Sequence, residues 1–160
     1  MPHPTAKTSV NTRRLPAVFN SSALGAIMQA VDIESIFDFG SGKEGAVDKW
    51  CADQGIEYLP FDPHNRDAAT NAHSEMRVAD LTICSNLLNL VEDLDACIKV
   101  LAYHTKKVAL VTVYHNSALP RDRQMEGYIQ RNWPPSEYAP RLEKQFDKVT
   151  KVGHVLVCSK

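Results

Sequence analysis

The chain has 160 residues, of which 44% are apolar and 23% are charged, and its formal net charge is −1 at pH 7. That length suits one globular domain, which can bury a sufficient core without disulfides or metal ions. The near-neutral charge excludes a global electrostatic attraction to nucleic acid or to a membrane surface, and no apolar run reaches the ~18 residues of a membrane-spanning helix.

Cysteine and histidine are scattered along the chain and indicate neither a disulfide framework nor a metal site. The cysteines, Cys51, Cys84, Cys97 and Cys158, include no CxxC pair, and the histidines lack metal-ligand spacing. The N-terminus also lacks the charged and then apolar layout of a secretory signal. We therefore expect reduced, mostly buried thiols in a cytoplasmic protein that binds no metal ion.

Helical and strand patterns alternate after a polar N-terminal arm. Residues 1–15 contain two early prolines, and we interpret them as flexible, with a single domain at 16–160. Apolar residues at helical spacing, with capping serines or acidic first turns, predict helices, which are 22–31, 46–54, 94–104 and 136–146. Short apolar or alternating runs predict strands, which are 33–39, 56–61, 80–85, 108–114, 148–152 and 154–158.

Two segments have weaker patterns. Residues 64–78 are polar, and we interpret 66–73 as one short helix. Residues 116–135 are predicted to form a loop with a helical turn near Met125. Together they occupy the connections that follow the second and fourth predicted strands.

The alternation of strands and helices predicts βαβ units and therefore a Rossmann-like, doubly wound α/β fold. The sheet is expected to hold about six strands, mostly parallel, with an antiparallel C-terminal edge hairpin that turns at Gly153. Ligands of such sheets bind at the carboxyl ends of the strands. This rule points to the segments after Phe39, Phe61, Ser85 and Tyr114.

A glycine-rich loop follows the first strand, where Gly40, Gly42 and Gly45 satisfy the pattern GxGxxG. Glycine allows a tight turn and a close approach of the backbone to a ligand, and the next helix presents free N–H groups. Asp62 lies about 20 residues further on, where a carboxylate can accept hydrogen bonds from ribose hydroxyls. The pattern alone is typical of a nicotinamide site, and it is also compatible with a simple strand-to-helix turn.

Asp38 lies two residues before the first glycine, and its charge bears on which cofactor the loop binds. A buried carboxylate repels a pyrophosphate, but it favours a positively charged ligand. S-adenosylmethionine carries a sulfonium and an ammonium group. The sequence therefore favours S-adenosylmethionine, and a nicotinamide cofactor remains the alternative.

Three motifs in order resemble those of the class I S-adenosylmethionine-dependent methyltransferases. The segment 38–42 (DFGSG) resembles their first motif, 61–63 (FDP) is similar to their acidic second motif, and 80–93 resembles their fourth-strand segment. The likeness is greatest to small methyltransferase-like domains of bacteria and phages. It implies that the cofactor contacts Asp38, Gly40, Ser41, Gly42, Asp62, Pro63, Ser85, Asn86 and Leu87. The short link from Asp62 to Asp80 further implies that one strand of the full family core is missing or reduced.

For the methyl acceptor, the sequence indicates only candidate catalytic and binding residues. Tyr114 and His115 follow a buried strand, and a histidine there could act as a general base. Asn86 could orient a substrate through its amide, and further substrate-binding candidates are Asn89, Tyr114, Gln130, Arg131 and Asn132. We expect a small-molecule acceptor, since a DNA methyltransferase needs surface to read sequence and flip a base. A cofactor-binding module that performs no transfer, or a subunit of a larger assembly, remains the alternative.

Overall fold

Helices and strands alternate along the computed structural model, which describes residues 15–40, 46–61, 77–126 and 128–160. After a 3-10 turn at Ala17–Asn20 come helix α1 (Ser22–Ala30), strand β1 (Ser35–Phe39), helix α2 (Ala46–Gln54), strand β2 (Glu57–Phe61) and strand β3 (Ala79–Ser85). The second half contains helix α3 (Leu94–His104), strands β4 (Thr105–Thr112), β5 (Asp122–Met125) and β6 (Tyr128–Arg131), helix α4 (Pro135–Leu142), and strands β7 (Lys148–Val152) and β8 (Val155–Ser159).

Six strands form the main sheet in the order β2-β1-β3-β4-β8-β7. The pairs β1–β2, β1–β3 and β3–β4 are parallel, whereas β8 is antiparallel to both β4 and β7. The prediction of a mostly parallel sheet with an antiparallel terminal hairpin is confirmed, and Gly153 lies in the predicted turn with a φ of 60°. Strands β5 and β6 form a separate hairpin.

Both faces of the sheet are covered by helices, as a doubly wound fold requires. Alternate residues of β1 point to opposite faces, so that Phe37 joins one core cluster with side chains of α3 and α4. Ile36 joins the other cluster with side chains of α1 and α2. Every residue of β3 except Ser85 is buried, because this strand is covered on both faces.

Side-chain caps explain where two helices begin. The Ser21 hydroxyl accepts a hydrogen bond from the Leu24 N–H at 3.2 Å, and the Asp93 carboxylate accepts one from the Ala96 N–H at 3.0 Å. Each cap satisfies a helix N–H that has no partner within the helix, which is worth about 1 kcal/mol. The predicted start of α1 at residue 22 and the predicted bounds of α3 are confirmed.

The bounds of β4 differ from the prediction of 108–114. The strand begins at Thr105, directly after α3, and ends at Thr112. Thr105 pairs with Ala79 of β3, its hydroxyl donates to the Leu101 carbonyl at 2.8 Å, and it is hydrogen-bonded to the Thr82 hydroxyl at the same distance. These bonds end the helix and start the strand without a connecting loop.

The prediction of a loop with a helical turn over 116–135 is wrong, because this segment contains the hairpin β5–β6 and Met125 ends β5. Both strands of the hairpin are mainly polar, so no alternation of apolar residues reveals them. Their pairing depends on tertiary contacts instead. The helix predicted at 136–146 is present as α4 and is shorter, with Pro135 at its start.

At one edge of the sheet, β2 pairs with β1 alone among the residues that the structure describes. The short helix predicted at 66–73, and the link that would hold a further strand, fall within 62–76 and lie outside those residues. The predicted arm also lies outside them, apart from Leu15, which packs against the core cluster under α1. No helix in the described ranges is long and apolar enough to cross a bilayer.

Candidate functional site

The order in which the chain adds strands to the sheet reverses between β1 and β3. It leaves β1 for β2 on one side and then returns to β3 on the other side of β1. The carboxyl ends of two such neighbouring strands form a crevice, because the connections after them run to opposite sides. Here those ends carry Gly40 and the segment 85–87, all of which are predicted cofactor residues.

Gly40 is required at this position for two independent reasons. Its φ is 92°, which is unfavourable for a residue with a side chain, and a Cβ there would lie 3.2 Å from Leu87 Cδ2 and 3.3 Å from Leu87 Cβ. The Gly40 N–H also donates to the Phe61 carbonyl at 2.7 Å. The ends of β1, β2 and β3 are therefore joined at one point.

Asp38 is buried behind this turn, with 4% of its surface exposed. It lies on the same face of β1 as Ile36, which packs with α2 residues. The Tyr58 hydroxyl donates a hydrogen bond of 2.8 Å to Asp38 Oδ2. Burial, and then the charge of Asp38, raise the pKa of Tyr58 far above its ordinary value, so that the phenol stays protonated and donates.

Sequence reasoning missed Tyr58. It faces the same side as Asp38 because β1 and β2 pair in parallel with Ile36 opposite Tyr58 and Asp38 opposite Pro60. Side chains two residues apart on a strand share a face. A tyrosine in a predicted neighbouring strand is the signal, but the register that brings it to Asp38 comes only from the structure.

Asn86 ends β3 in a conformation that few side chains adopt. Its φ is 53°, and it is the one non-glycine residue with a positive φ in the described ranges. Its N–H donates to the Thr112 carbonyl at 2.9 Å, while the Thr112 hydroxyl donates to the Ser85 hydroxyl at 3.2 Å. Asparagine tolerates the left-handed region better than most residues, and such outliers concentrate at functional sites.

The remaining predicted cofactor residues, Ser41, Gly42, Asp62 and Pro63, lie outside the described residues. Gly40 and Phe61, which precede them, are joined by the hydrogen bond between their main chains. The two predicted motifs therefore leave the sheet from adjacent points. Within the described ranges, no group of three His, Cys, Asp or Glu side chains is placed to hold a metal ion.

Solved structures with the same fold are S-adenosylmethionine-dependent methyltransferases. One, from Mesorhizobium loti, has a TM-score of 0.59 at 10% identity and covers 89% of this chain and 100% of its own. A Listeria monocytogenes protein assigned to the same group has a TM-score of 0.55 at 12% identity, covering 85% of this chain and 96% of its own. The chain has the fold of class I S-adenosylmethionine-dependent methyltransferases.

A third structure with this methyltransferase fold is the N-terminal domain of EvdMO1 in the presence of S-adenosylhomocysteine and D-fucose. It has a TM-score of 0.50 at 13% identity and covers 91% of this chain and 81% of its own. Neither a protein-family model nor a curated protein matches the sequence. The likeness therefore concerns the fold, and the roles of individual residues depend on the geometry of this chain.

In this methyltransferase fold, hydrogen bonds from Arg131 connect the β5–β6 hairpin to the segment after β3. Its main-chain N–H donates to the Asn89 carbonyl at 2.8 Å. Its guanidinium donates to the main-chain carbonyls of Leu88, Val91 and Glu92. Arg131 is one of the substrate-binding candidates from the sequence, and the structure turns three of its N–H groups toward the protein backbone.

Asn132 holds the loop between β4 and β5. It is 5% exposed, and its Oδ1 accepts from the Asn116 N–H at 2.7 Å. Its Nδ2 donates to the carbonyls of Asn116, Leu119 and Pro120 at 2.8 to 3.1 Å. All the polar atoms of this amide are thus occupied within the chain, which gives Asn132 a positioning role.

The other acceptor candidates are spread over the same region. Tyr114 and His115 follow β4 and are exposed, and Gln130 is half-buried in β6. Asn89 is 2% exposed, and its side-chain oxygen has no hydrogen-bond partner among the described residues. The structure thus brings Asn89 and Arg131 together, but it leaves Tyr114 and His115 on the surface.

Sequence reasoning also missed a charged cluster around Trp133. The guanidinium groups of Arg121, Arg131 and Arg141 lie 4.9, 5.5 and 5.7 Å from the centre of its ring. Arg121 also binds both carboxylate oxygens of Glu137, and this pairing lowers the pKa of Glu137. The cluster connects the base of the hairpin to α4, and scattered arginines give no sign of it in the sequence.

Proposed function

We propose that this protein transfers a methyl group from S-adenosylmethionine to a small molecule. The observation that carries the proposal is the contact of Gly40 with Leu87 at the point where the sheet order reverses, with Asp38 buried directly behind it. A turn without a side chain at the carboxyl ends of these strands suits the close approach of a nucleoside cofactor.

The buried Asp38 carboxylate favours a positively charged cofactor over a dinucleotide. Asp38 is 4% exposed, and the Tyr58 hydroxyl donates a hydrogen bond to its carboxylate. A pyrophosphate close to such a carboxylate would be repelled, whereas a sulfonium or an ammonium would be attracted. The structures with this fold that are described as S-adenosylmethionine-dependent methyltransferases support the same choice.

The cofactor site that we propose also includes Asn86 and Leu87, which follow β3 beside Gly40. The cofactor would supply a methyl group that is already activated on sulfur. The residues of this chain would then contribute mainly by holding the acceptor in line, which can supply a large part of the rate. The Asn86 amide, held at the tip of β3, is the side chain that we assign to orient the acceptor.

A small-molecule acceptor is favoured over nucleic acid by the charge of the chain. The formal net charge is −1, whereas binding to nucleic acid depends on several cationic contacts with phosphates. The hairpin β5–β6 has only four residues in each strand. A surface of this size suits the recognition of a small molecule better than the reading of a duplex.

Calorimetry with S-adenosylmethionine and S-adenosylhomocysteine tests the cofactor. We expect micromolar binding of both and no binding of NADH. The Asp38→Asn variant should weaken S-adenosylmethionine by about ten-fold, the size of one charged interaction. Asp80→Asn is the matched control, since Asp80 is also buried but lies at the opposite end of β3. Absence of binding by either compound at millimolar concentration would refute the proposal.

Radiolabelled S-adenosylmethionine tests the transfer step. Incubation with a fractionated small-molecule extract should give a labelled product that passes through a filter retaining macromolecules. Label retained with nucleic acid would contradict the choice of acceptor. Tight cofactor binding without any labelled product would favour the alternative, a binding module that performs no transfer.

A further inference from the structure

A cavity of about 220 Å³ lies between the segment after β3 and the hairpin β5–β6, and it is lined by Glu92, Gln124, Tyr128, Ile129 and Arg131. We propose that this cavity binds the methyl acceptor, and that the acceptor carries an ammonium group on an aromatic or aliphatic body. The inference rests on the proposed function, because it assigns the second substrate of the same reaction.

The position of the cavity connects it to the proposed cofactor site. Leu87 lies against Gly40, and Glu92 follows it by five residues, a span of at most about 18 Å. The Leu90 N–H donates to the Leu87 carbonyl at 2.9 Å, which shortens this path. The segment 86–92 therefore forms one side of the cavity at one end and one side of the cofactor crevice at the other.

Two polar groups that remain available in the cavity are hydrogen-bond acceptors. The Glu92 carboxylate has no hydrogen bond or ion pair with another described side chain, and Glu92 is exposed. Gln124 uses its Nε2 to donate to the Met125 and Tyr128 carbonyls, which leaves its Oε1 to accept. A ligand that donates hydrogen bonds and carries a positive charge is complementary to this pair.

Arg131, the positively charged residue that lines the cavity, directs three of its N–H groups to main-chain carbonyls. The guanidinium of Arg131 donates to the carbonyls of Leu88, Val91 and Glu92 and lies over Trp133. It is therefore held by the backbone and an aromatic ring, and none of these hydrogen bonds uses the Glu92 carboxylate. The Asn89 Oδ1 is buried in the segment that Arg131 binds, and it is a further acceptor without a partner among the described residues.

Two of the residues that line the cavity are large and exposed. Tyr128 is 41% exposed and Ile129 is 47% exposed, next to each other in β6. Neighbouring residues of a strand point to opposite faces, and Ile129 shares the face of Arg131, so we assign the apolar contact with the ligand body to Ile129. The volume is below the roughly 300 Å³ of a drug-sized site, which suits a molecule of about the size of benzylamine.

A titration followed by ¹H–¹⁵N correlation spectra tests the site on the full chain, with benzylamine as the probe. We expect benzylamine at millimolar concentration to shift the amide signals of Gln124, Tyr128 and Ile129. Benzoate, with the opposite charge on the same ring, should leave them unchanged. Glu92→Gln should weaken benzylamine by about ten-fold, as expected for one charge-assisted hydrogen bond.

Glu126→Gln is the matched control, because Glu126 is an exposed carboxylate of the same hairpin that does not line the cavity. It should leave benzylamine affinity unchanged. Binding of benzoate at these residues, equal losses in both variants, or no binding of benzylamine would overturn the proposal. Calorimetry with S-adenosylhomocysteine distinguishes failure of this inference from failure of the proposed function. If only the acceptor site is wrong, S-adenosylhomocysteine still binds. If the proposed function is wrong, it does not bind.

Discussion

Gly40 and Leu87 meet across neighbouring strands so closely that a Cβ on Gly40 would lie 3.2 Å from Leu87 Cδ2. The two residues come from motifs that are far apart in the sequence, at the ends of β1 and β3. Their contact brings the glycine-rich turn against the segment that follows β3. This relationship defines the crevice on which the proposed cofactor site depends.

Replacing Gly40 by alanine should lower both stability and cofactor binding. The positive φ and the contact with Leu87 together should cost roughly 1–3 kcal/mol in the free energy of unfolding, measured by urea denaturation. Gly55→Ala is the matched control, since Gly55 has a φ of 70° but open space around its Cβ position. It should cost less and leave S-adenosylhomocysteine affinity unchanged. Equal effects of the two substitutions would contradict the role of the Leu87 contact.

Tyr58→Phe should weaken the cofactor without removing the fold. The substitution deletes the hydrogen bond to Asp38 and should cost about 1–3 kcal/mol in stability, because a buried carboxylate loses a donor. Calorimetry should show several-fold weaker S-adenosylmethionine binding. Tyr103→Phe provides a comparison, since Tyr103 is 51% exposed. If Tyr58→Phe leaves the affinity for S-adenosylmethionine unchanged, Asp38 does not take part in cofactor binding.

Asn86→Gly and Asn86→Ala should have different effects on stability. Glycine adopts the φ of 53° without strain, so that variant should be as stable as the original protein or slightly more stable. Alanine should cost about 1 kcal/mol, since it has no polar side chain to favour this conformation. Both variants should lose methyl transfer if the amide orients the acceptor. Full activity in the glycine variant would show that Asn86 has only a conformational role.

Stability should fall at alkaline pH because the cysteines are buried as neutral thiols. Burial raises the pKa of Cys51, Cys97 and Cys158 from 9.0 to about 12, and that of Cys84 well above 9.0. Above pH 9.0 the unfolded chain releases protons that the folded chain retains, so the free energy of unfolding decreases as pH rises toward about 12.

Urea denaturation under reducing conditions measures this decrease. Cys84→Ala should reduce the slope of stability against pH above pH 9.0, because one raised pKa is removed. The same substitution should cost stability at neutral pH, where a small cavity is left in the core. A stability that is constant up to pH 12 would contradict burial of the thiols.

Asn132→Ala should loosen the loop between β4 and β5. The substitution removes the bonds that its amide makes to the main chain of Asn116, Leu119 and Pro120, and we expect a loss of about 2–4 kcal/mol. Hydrogen exchange should show faster exchange of the amides of 116–121. Gln130→Ala, at a half-buried neighbour, should have a smaller effect on both measurements. Similar exchange rates in the two variants would refute the positioning role.

The helices and the main sheet were largely predictable from local pattern. A capping serine, a capping aspartate and apolar residues at helical spacing are local signals, and α1 and α3 begin where these signals place them. The buried strand β3 was predictable because a parallel strand covered on both faces is apolar along its length. Gly40 was predictable because glycine adopts a positive φ more readily than other residues do at a tight turn after a strand.

The hairpin β5–β6 and the partners of the site residues were not predictable in this way. The hairpin lacks an apolar face, and it is held by Arg131 and Asn132, whose partners lie at long sequence distance. Tyr58 reaches Asp38 through the register of two strands, which local pattern does not specify.

By itself, the sequence determined the alternation of helices and strands, the parallel sheet and the glycine turn before α2, because these depend on the period of apolar residues and on backbone conformation. Only the tertiary structure decided that Gly40 packs on Leu87, that Tyr58 binds Asp38, and that Arg131 clamps the hairpin. These contacts depend on strand order and register, which set the distance between residues that are remote along the chain.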